Sequence, residues 1–330
     1  MCTRNDVDKK NMEITKQILK KYPKILENYI NSLEDKTSYT KMVYARYIGR
    51  FLDYTRDEIK ININKTVNYT KIKPMDISDY MGIIKYNEDG NENSASYRNV
   101  NLAAIKGFFD FLEDNDIIDK NPAKKIKAPK DDKIHDIVTI TNEDYLIMLN
   151  NIKNGVGNHK ARATQRKWIN RDLALLILGL TTGLRISAIV GINLEDIDFE
   201  RKVVITTEKG NKEREVFLGD QTIKILNVWI KERAKMVDNN EHALFICKGN
   251  KRMSTRAVQN RFKEIAEGTG KNITPHKMRA TCATRLYEQT GDIYLVQNQL
   301  GHKSIESTKH YAKVSDAKLK AAANILNESF

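Results

Sequence analysis

The chain has 330 residues, 56 lysines and arginines against 43 carboxylates, and a formal net charge of +13. That length suits two domains, each able to bury a core. No apolar run approaches the roughly 18–20 residues a bilayer span requires, and MCTRNDVDKKNMEI has no apolar signal region, so neither a membrane protein nor a secreted one is expected. Cys2, Cys247 and Cys282 are scattered without metal-ligand spacing, which suits a reducing cytosol and gives no metal site. A basic surface of this size points to a polyanion, most commonly nucleic acid; the plain alternative is a lysine-rich surface that only aids solubility.

Taken in order, residues 1–22 read as an N-terminal helical extension broken at Pro23, because proline must end one helix or start another. Residues 23–119 read as a compact helical domain. A helix begins near Thr37, with Tyr44, Ile48, Phe51 and Leu52 as an apolar stripe. Asp76 and Asp79 give a capping-box-like start to the next, and a polar loop covers 87–93. From Ser94, the residues Val100, Ala103, Ala104, Phe108, Phe111 and Leu112 mark one face of a long helix. The opposite faces carry Ser38, Lys41, Arg46, Arg98, Asn101 and Lys106, a candidate DNA-facing set that could equally be a solvated face.

Residues 120–136 read as a basic linker, since two prolines discourage helix. Its Lys124, Lys125, Lys127 and Lys130 could track a phosphate backbone. A second domain, 137–314, opens on a helix capped at Thr141 and Asp144. A basic loop follows at 154–168, in which His159 reads as a surface residue, and then a buried helix at 172–180. The chain turns at Gly183 and places Arg185 at the start of another helix, where backbone donors favour an anion. KVVITTEKGNKEREVFL reads as a β-hairpin with Lys209 at a basic tip, and ALFIC (243–247) as a short strand. Helices are expected through 221–236, 256–267 and 276–289, and from Ser315 an amphipathic helix carries Leu319, Ala322, Ala323 and Leu326. The fold class expected is mainly α with a small β-hairpin or sheet (α+β).

The chemistry concentrates in Pro275–Tyr311. His276 and Arg279, three apart on a helix, share a face, and His302 and Tyr311 follow. With Arg185 and Lys209 they suit a phosphodiester. Arginine forks match phosphate oxygens, and prealigned donors stabilise the charge those oxygens gain in the transition state. Tyr311 would be the nucleophile. A phenol of pKa about 10 is only about 0.1% ionised at neutral pH, so it needs a base, for which His276 is the candidate, or a cationic site. Lys209 could protonate the leaving 5′-oxygen, giving the 5′-hydroxyl. No cofactor or metal is required. Each residue singly has a plain rival: Tyr311 could simply pack, Arg279 could be a surface ion pair, and Lys209 a turn lysine. His310 reads as a neighbour that projects elsewhere.

TTGLRISAIVGINLEDID, EKGNKEREVFLG and HKMRATCATRLYEQTGDIYLVQNQLGHKSIESTKHYAKV resemble the first-arginine, hairpin-lysine, H-x-x-R, leucine-glycine-histidine and tyrosine boxes of the tyrosine recombinase (phage integrase) family, in its Xer-like two-domain form. The resemblance implies a helical core-binding domain and a catalytic domain that clamp duplex DNA. Arg185, Arg279 and His302 would bind the scissile phosphate, Lys209 would be the general acid, His276 would assist proton transfer, and Tyr311 would form a 3′-phosphotyrosyl link. It further implies an inverted-repeat core site, a tetramer joined through the 315–330 helix, exchange through a Holliday junction, accessory proteins, and a cytoplasmic, nucleoid-associated location. The expected function is therefore a site-specific DNA recombinase, an integrase or the transposase of a mobile element. The alternatives are a type IB-like topoisomerase and a non-catalytic DNA-binding regulator on the same scaffold. One departure stands out: the family's acidic residue three positions after the first arginine is Ala188 here, and Glu195 or Asp196 is the nearest substitute.

Overall fold

The computed structural model describes residues 4–129, 138–207, 213–237, 241–309 and 311. The chain divides into two compact units, one over Cys2–His135 and one from Asp136 to the C-terminus.

The first unit is helical. Its elements are α1 (Arg4–Leu19), α2 (Lys24–Ser32), α3 (Ser38–Asp57), a 3-10 turn (Thr66–Lys71), α4 (Pro74–Ile83) and α5 (Ala95–Asp114). Thr37 and Ser94 cap α3 and α5, each accepting a hydrogen bond from the backbone N–H three residues on. The α4 start lies earlier than expected: Lys73 is the cap, Pro74 follows it, and Asp76 accepts from the Lys73 N–H at 2.8 Å. Ile30, Ile48, Phe51, Leu52, Ile77, Phe108, Phe109 and Leu112 form the core.

Three expectations for this unit are corrected by packing. Residues 4–19 are not an appendage: α1 belongs to the unit, with Asn11 and Thr15 buried and Ile18 and Leu19 against the core. On α5 the buried face is rotated, so Val100 and Ala103 are exposed while Ile105 and Phe109 are buried. The same rotation buries Asn101 completely, its Nδ2 donating to the Tyr97 carbonyl at 2.9 Å, so it does not lie on a DNA-facing surface. The first part of the linker is also packed. Ala123 is buried, and Asn121 donates to the Lys106 carbonyl and to Asp110, at 3.1 and 2.7 Å.

The second unit comprises α6 (Asn142–Asn154), α7 (His159–Arg166), α8 (Ile169–Thr182), α9 (Ile186–Gly191), β1 (Ile197–Asp198), β2 (Val203–Thr207), β3 (Glu213–Phe217), α10 (Asp220–Arg233), β4 (Ile246–Cys247), β5 (Lys251–Arg252), α11 (Thr255–Ile265), α12 (Pro275–Thr290), α13 (Ile293–Leu300) and α14 (Glu306–Lys309). The fold is thus mainly α with small sheets. Strands β1, β2 and β3 form an antiparallel sheet in which Val204 faces Val216 and Thr206 faces Arg214. Two local readings change. The basic 154–168 segment holds a helix, α7, capped by Asn158, and the expected 243–247 strand narrows to Ile246–Cys247, paired with β5.

Helix α8 is the centre of this unit, as its apolar run dictates. Leu175, Leu176 and Leu178 pack with Trp229, Phe245, Phe262 and Met278. Its one buried carboxylate, Asp172, lies between two guanidiniums. Arg171 and Arg261 each donate to it, at 2.6 and 2.7 Å. An unpaired buried charge would cost several kcal/mol, so this charge needs both partners. Helix α8 ends at Gly183, whose φ of 63° lies in the left-handed region that favours glycine. The chain then turns at once into α9, and this turn begins the functional site.

Candidate active site

Four of the six candidate catalytic residues come from four elements, beginning at that turn. Arg185 is the N-cap of α9 and is exposed. Arg279, one turn into α12, is only 4% exposed. Its Nη1 donates to the Gly183 carbonyl and its Nη2 to the Leu300 carbonyl, both at 2.6 Å. The guanidinium therefore bolts together the turn that carries Arg185 and the end of α13, immediately before His302. These bonds engage two of the five N–H groups of a guanidinium.

The end of α13 is where the boxes meet. Gly301 takes φ 62° and terminates the helix, and the His302 N–H closes onto the Gln297 carbonyl at 3.1 Å. Three successive carbonyls there receive arginine. Leu300 accepts from Arg279, while Asn298 and Gln299 both accept from Nη1 of Arg214 on β3, at 2.9 and 3.1 Å. The Gln299 side chain reaches back to the Thr182 carbonyl at 3.1 Å. Cationic donors at a helix C-terminus also meet its partial negative charge favourably.

Tyr311 follows α14 and is 5% exposed, packed among Ala280, Ala283, Val296 and Leu300. Its ring stacks on His302, with centroids 6.3 Å apart and planes 24° from parallel. Burial pushes the phenol above its ordinary pKa, and the charges of Arg279 and Arg185 pull it back. Nδ1 of His302 lies 2.9 Å from the Thr308 hydroxyl, and Thr308 is fully buried.

Two candidates remain. His276 is exposed in the first turn of α12, where Pro275 holds the helix start. Lys209, which falls in sequence between Thr207 of β2 and Glu213 of β3, lies outside the described residues, and so do His310, Lys130 and the expected 315–330 helix.

Neither proposed stand-in for the missing carboxylate faces the site. Glu195 pairs with His242 at 3.2 Å, and Asp196 accepts the Asn193 N–H at 2.7 Å, closing the turn after α9. Ala188 is half-buried and packs against the α8 core.

Of the DNA-facing candidates on the first unit, Arg46, Lys124, Lys125 and Lys127 are exposed and Lys41 is partly so. Ser38 is engaged with Asp8 and Asn11 of α1. Arg98 pairs with Glu92 at 3.3 Å, and Lys106 donates to the Lys124 carbonyl at 3.5 Å. Sequence reasoning missed Arg214, Gln299 and Thr308. The signal was present, for all three lie inside the boxes already singled out, but their contacts are tertiary.

The site thus brings together a buried tyrosine stacked on an imidazole, with the charges of two arginines acting on its phenol. Residues 140–318 match the phage integrase family. The chain is 32% identical over 321 residues to the tyrosine recombinase XerC of Caldanaerobacter subterraneus subsp. tengcongensis, covering 92% of this chain and 87% of that protein. It is 31% identical over 284 residues to the tyrosine recombinase XerD of Oceanobacillus iheyensis, covering 84% and 88%. The fold is similar to that of the XerH site-specific recombinase bound to a palindromic difH substrate in a post-cleavage complex, with TM-score 0.70 at 20% identity over 92% of this chain and 84% of that one. It is also similar to the Tn1549 transposon integrase in complex with circular intermediate DNA, with TM-score 0.69 at 22% identity over 91% and 98%. The chain belongs to the phage integrase family of Xer-like tyrosine recombinases. It is a site-specific recombinase, an enzyme that cleaves and rejoins DNA.

Proposed function

We propose that Tyr311 is the nucleophile and attacks the scissile phosphate, leaving a 3′-phosphotyrosyl link and a free 5′-hydroxyl. The observation that carries this reading is the stack of Tyr311 on His302 beside the buried Arg279. A buried phenol resists ionisation, and the nearby guanidiniums oppose that resistance. A bound phosphate would take up the same positive charge. Arg185 and Arg279 then orient the non-bridging oxygens, with His302 as a further donor to them. His276, at the exposed start of α12, assists the proton leaving Tyr311. Lys209 protonates the leaving 5′-oxygen.

The substrate is duplex DNA with an inverted-repeat core site. Lys41, Arg46, Lys124, Lys125 and Lys127 contact its backbone in a salt-dependent, sequence-blind way. Four protomers assemble on two sites through the 315–330 segment and exchange strands by way of a Holliday junction. Accessory proteins direct the outcome, and the site of action is the nucleoid in the cytoplasm.

A nicked suicide duplex carrying the core site tests the central step. Wild-type protein should trap a denaturation-resistant protein–DNA adduct, and Tyr311→Phe should trap none. An adduct that persists in Tyr311→Phe would overturn the assignment of the nucleophile.

A further inference from the structure

We infer that Thr308 is a positioning residue that sets the tautomer of His302, so that His302 serves the phosphate as a neutral Nε2–H donor. The inference rests on the reading of His302 as a phosphate ligand and specifies how it works. Thr308 is fully buried, and its hydroxyl lies 2.9 Å from His302 Nδ1, its partner among the described residues. The Thr308 N–H is already bonded to the Ile305 carbonyl at 2.8 Å, which fixes the residue in place.

A hydroxyl has one proton to donate, and in a buried site that proton needs an acceptor. If Nδ1 carried a hydrogen, it would point at the threonine oxygen, and the hydroxyl proton would be left without an acceptor. The imidazolium has the same defect, because both of its nitrogens are donors. The arrangement that satisfies both groups has the Thr308 hydroxyl donating to a bare Nδ1. The ring proton then resides on Nε2, the nitrogen not facing Thr308.

Tyr311 stacks on the ring, and the charges of Arg279 and Arg185 act on the Tyr311 phenol. On the flanking segment Lys303 is exposed, and Glu306 is paired with Lys309 at 2.7 Å. An imidazole held in this way donates through Nε2 whether or not the solution is acidic enough to protonate it. Donation therefore survives across the range in which a free histidine loses its charge.

The test combines a spectroscopic readout with a pH profile of cleavage on the nicked suicide duplex. In ¹⁵N-histidine-labelled wild type, the His302 signals should show Nδ1 unprotonated and Nε2 protonated at neutral pH. A protonated Nδ1 would overturn the inference. Thr308→Val keeps the shape and removes the hydroxyl. Its cleavage should fall about tenfold or more at about pH 8 and recover to within about threefold of wild type near pH 6, where the imidazolium supplies the Nε2 proton by itself. Thr308→Ser should restore the wild-type profile. A Thr308→Val defect that is equal at both pH values, or absent, would overturn the inference while leaving the role of His302 intact. If His302→Ala cleaves like wild type, the phosphate-ligand reading falls and the inference falls with it. Should Thr308→Val fail to fold, the wild-type ¹⁵N measurement decides the matter.

Discussion

Arg214 on β3 donates to the carbonyl of Asn298 in the last turn of α13 at 2.9 Å, and from the same Nη1 to Gln299 at 3.1 Å. This joins the strand after the proposed lysine tip to the helix end that precedes His302, two boxes that lie more than eighty residues apart in the chain. Replacing Arg214 by alanine removes both bonds and leaves β3 unanchored at that point. Stability should fall by about 0.5–1.5 kcal/mol, the usual net worth of a hydrogen bond that is not fully buried. Cleavage of the suicide duplex should fall about tenfold or more, whereas affinity for the same duplex in a mobility-shift assay should change little. Equal losses in affinity and cleavage would contradict this division.

Arg279→Lys probes a bond pattern rather than a charge. Lysine keeps the cation but offers a single nitrogen, which cannot span the Gly183 and Leu300 carbonyls as the planar fork does. Adduct formation should drop by about 10²–10³-fold, the loss typical of removing an aligned transition-state donor. Thermal melting should also show lower stability.

Gly183→Ala should destabilise the catalytic unit without touching DNA. The φ of 63° disfavours a side chain, and an added Cβ would lie 2.8 Å from Leu300 Cδ2 and 3.2 Å from Cys282 Sγ. Backbone strain of this kind costs about 1–3 kcal/mol. At this domain size each kcal/mol lowers the melting temperature by about 2–4 °C. Because the Gly183 carbonyl also holds Arg279, cleavage should suffer more than the stability loss alone explains.

Ala188→Glu restores the family's carboxylate at a half-buried position against the α8 core. Cleavage should change by less than about tenfold, or about 1.4 kcal/mol, with a lower melting temperature from placing charge against apolar neighbours. A thousandfold gain would mean that the wild-type site works far below its capacity.

Cys282 offers a reporter of integrity. It is buried behind Gly183, its Sγ lies 3.7 Å from the Thr181 carbonyl, and burial pushes its thiol up to about 11. Because the thiolate is the reactive form, alkylation of the native protein at about pH 8 should reach the partly exposed Cys247 before Cys282. Cys282 should react only as the unit unfolds, with a rate that rises in Gly183→Ala.

The sequence by itself determined much of this. Apolar periodicity located the long helices, because helix 3.6-residue spacing and an inward stripe are local properties. The β-branched run around Lys209 located the hairpin, and the box motifs singled out Arg185, Arg279, His302 and Tyr311. Only the tertiary structure decided what those residues touch. Asn101 read as a surface residue until packing rotated α5 by a fraction of a turn and buried it. Glu195 and Asp196 were near Ala188 in sequence, yet each is bonded to another group. Arg214, Gln299 and Thr308 looked unremarkable as letters, because a carbonyl at a helix end or a bare ring nitrogen becomes a partner only when the chain folds back on it. Periodicity reports which face is buried; it does not report which atom waits there.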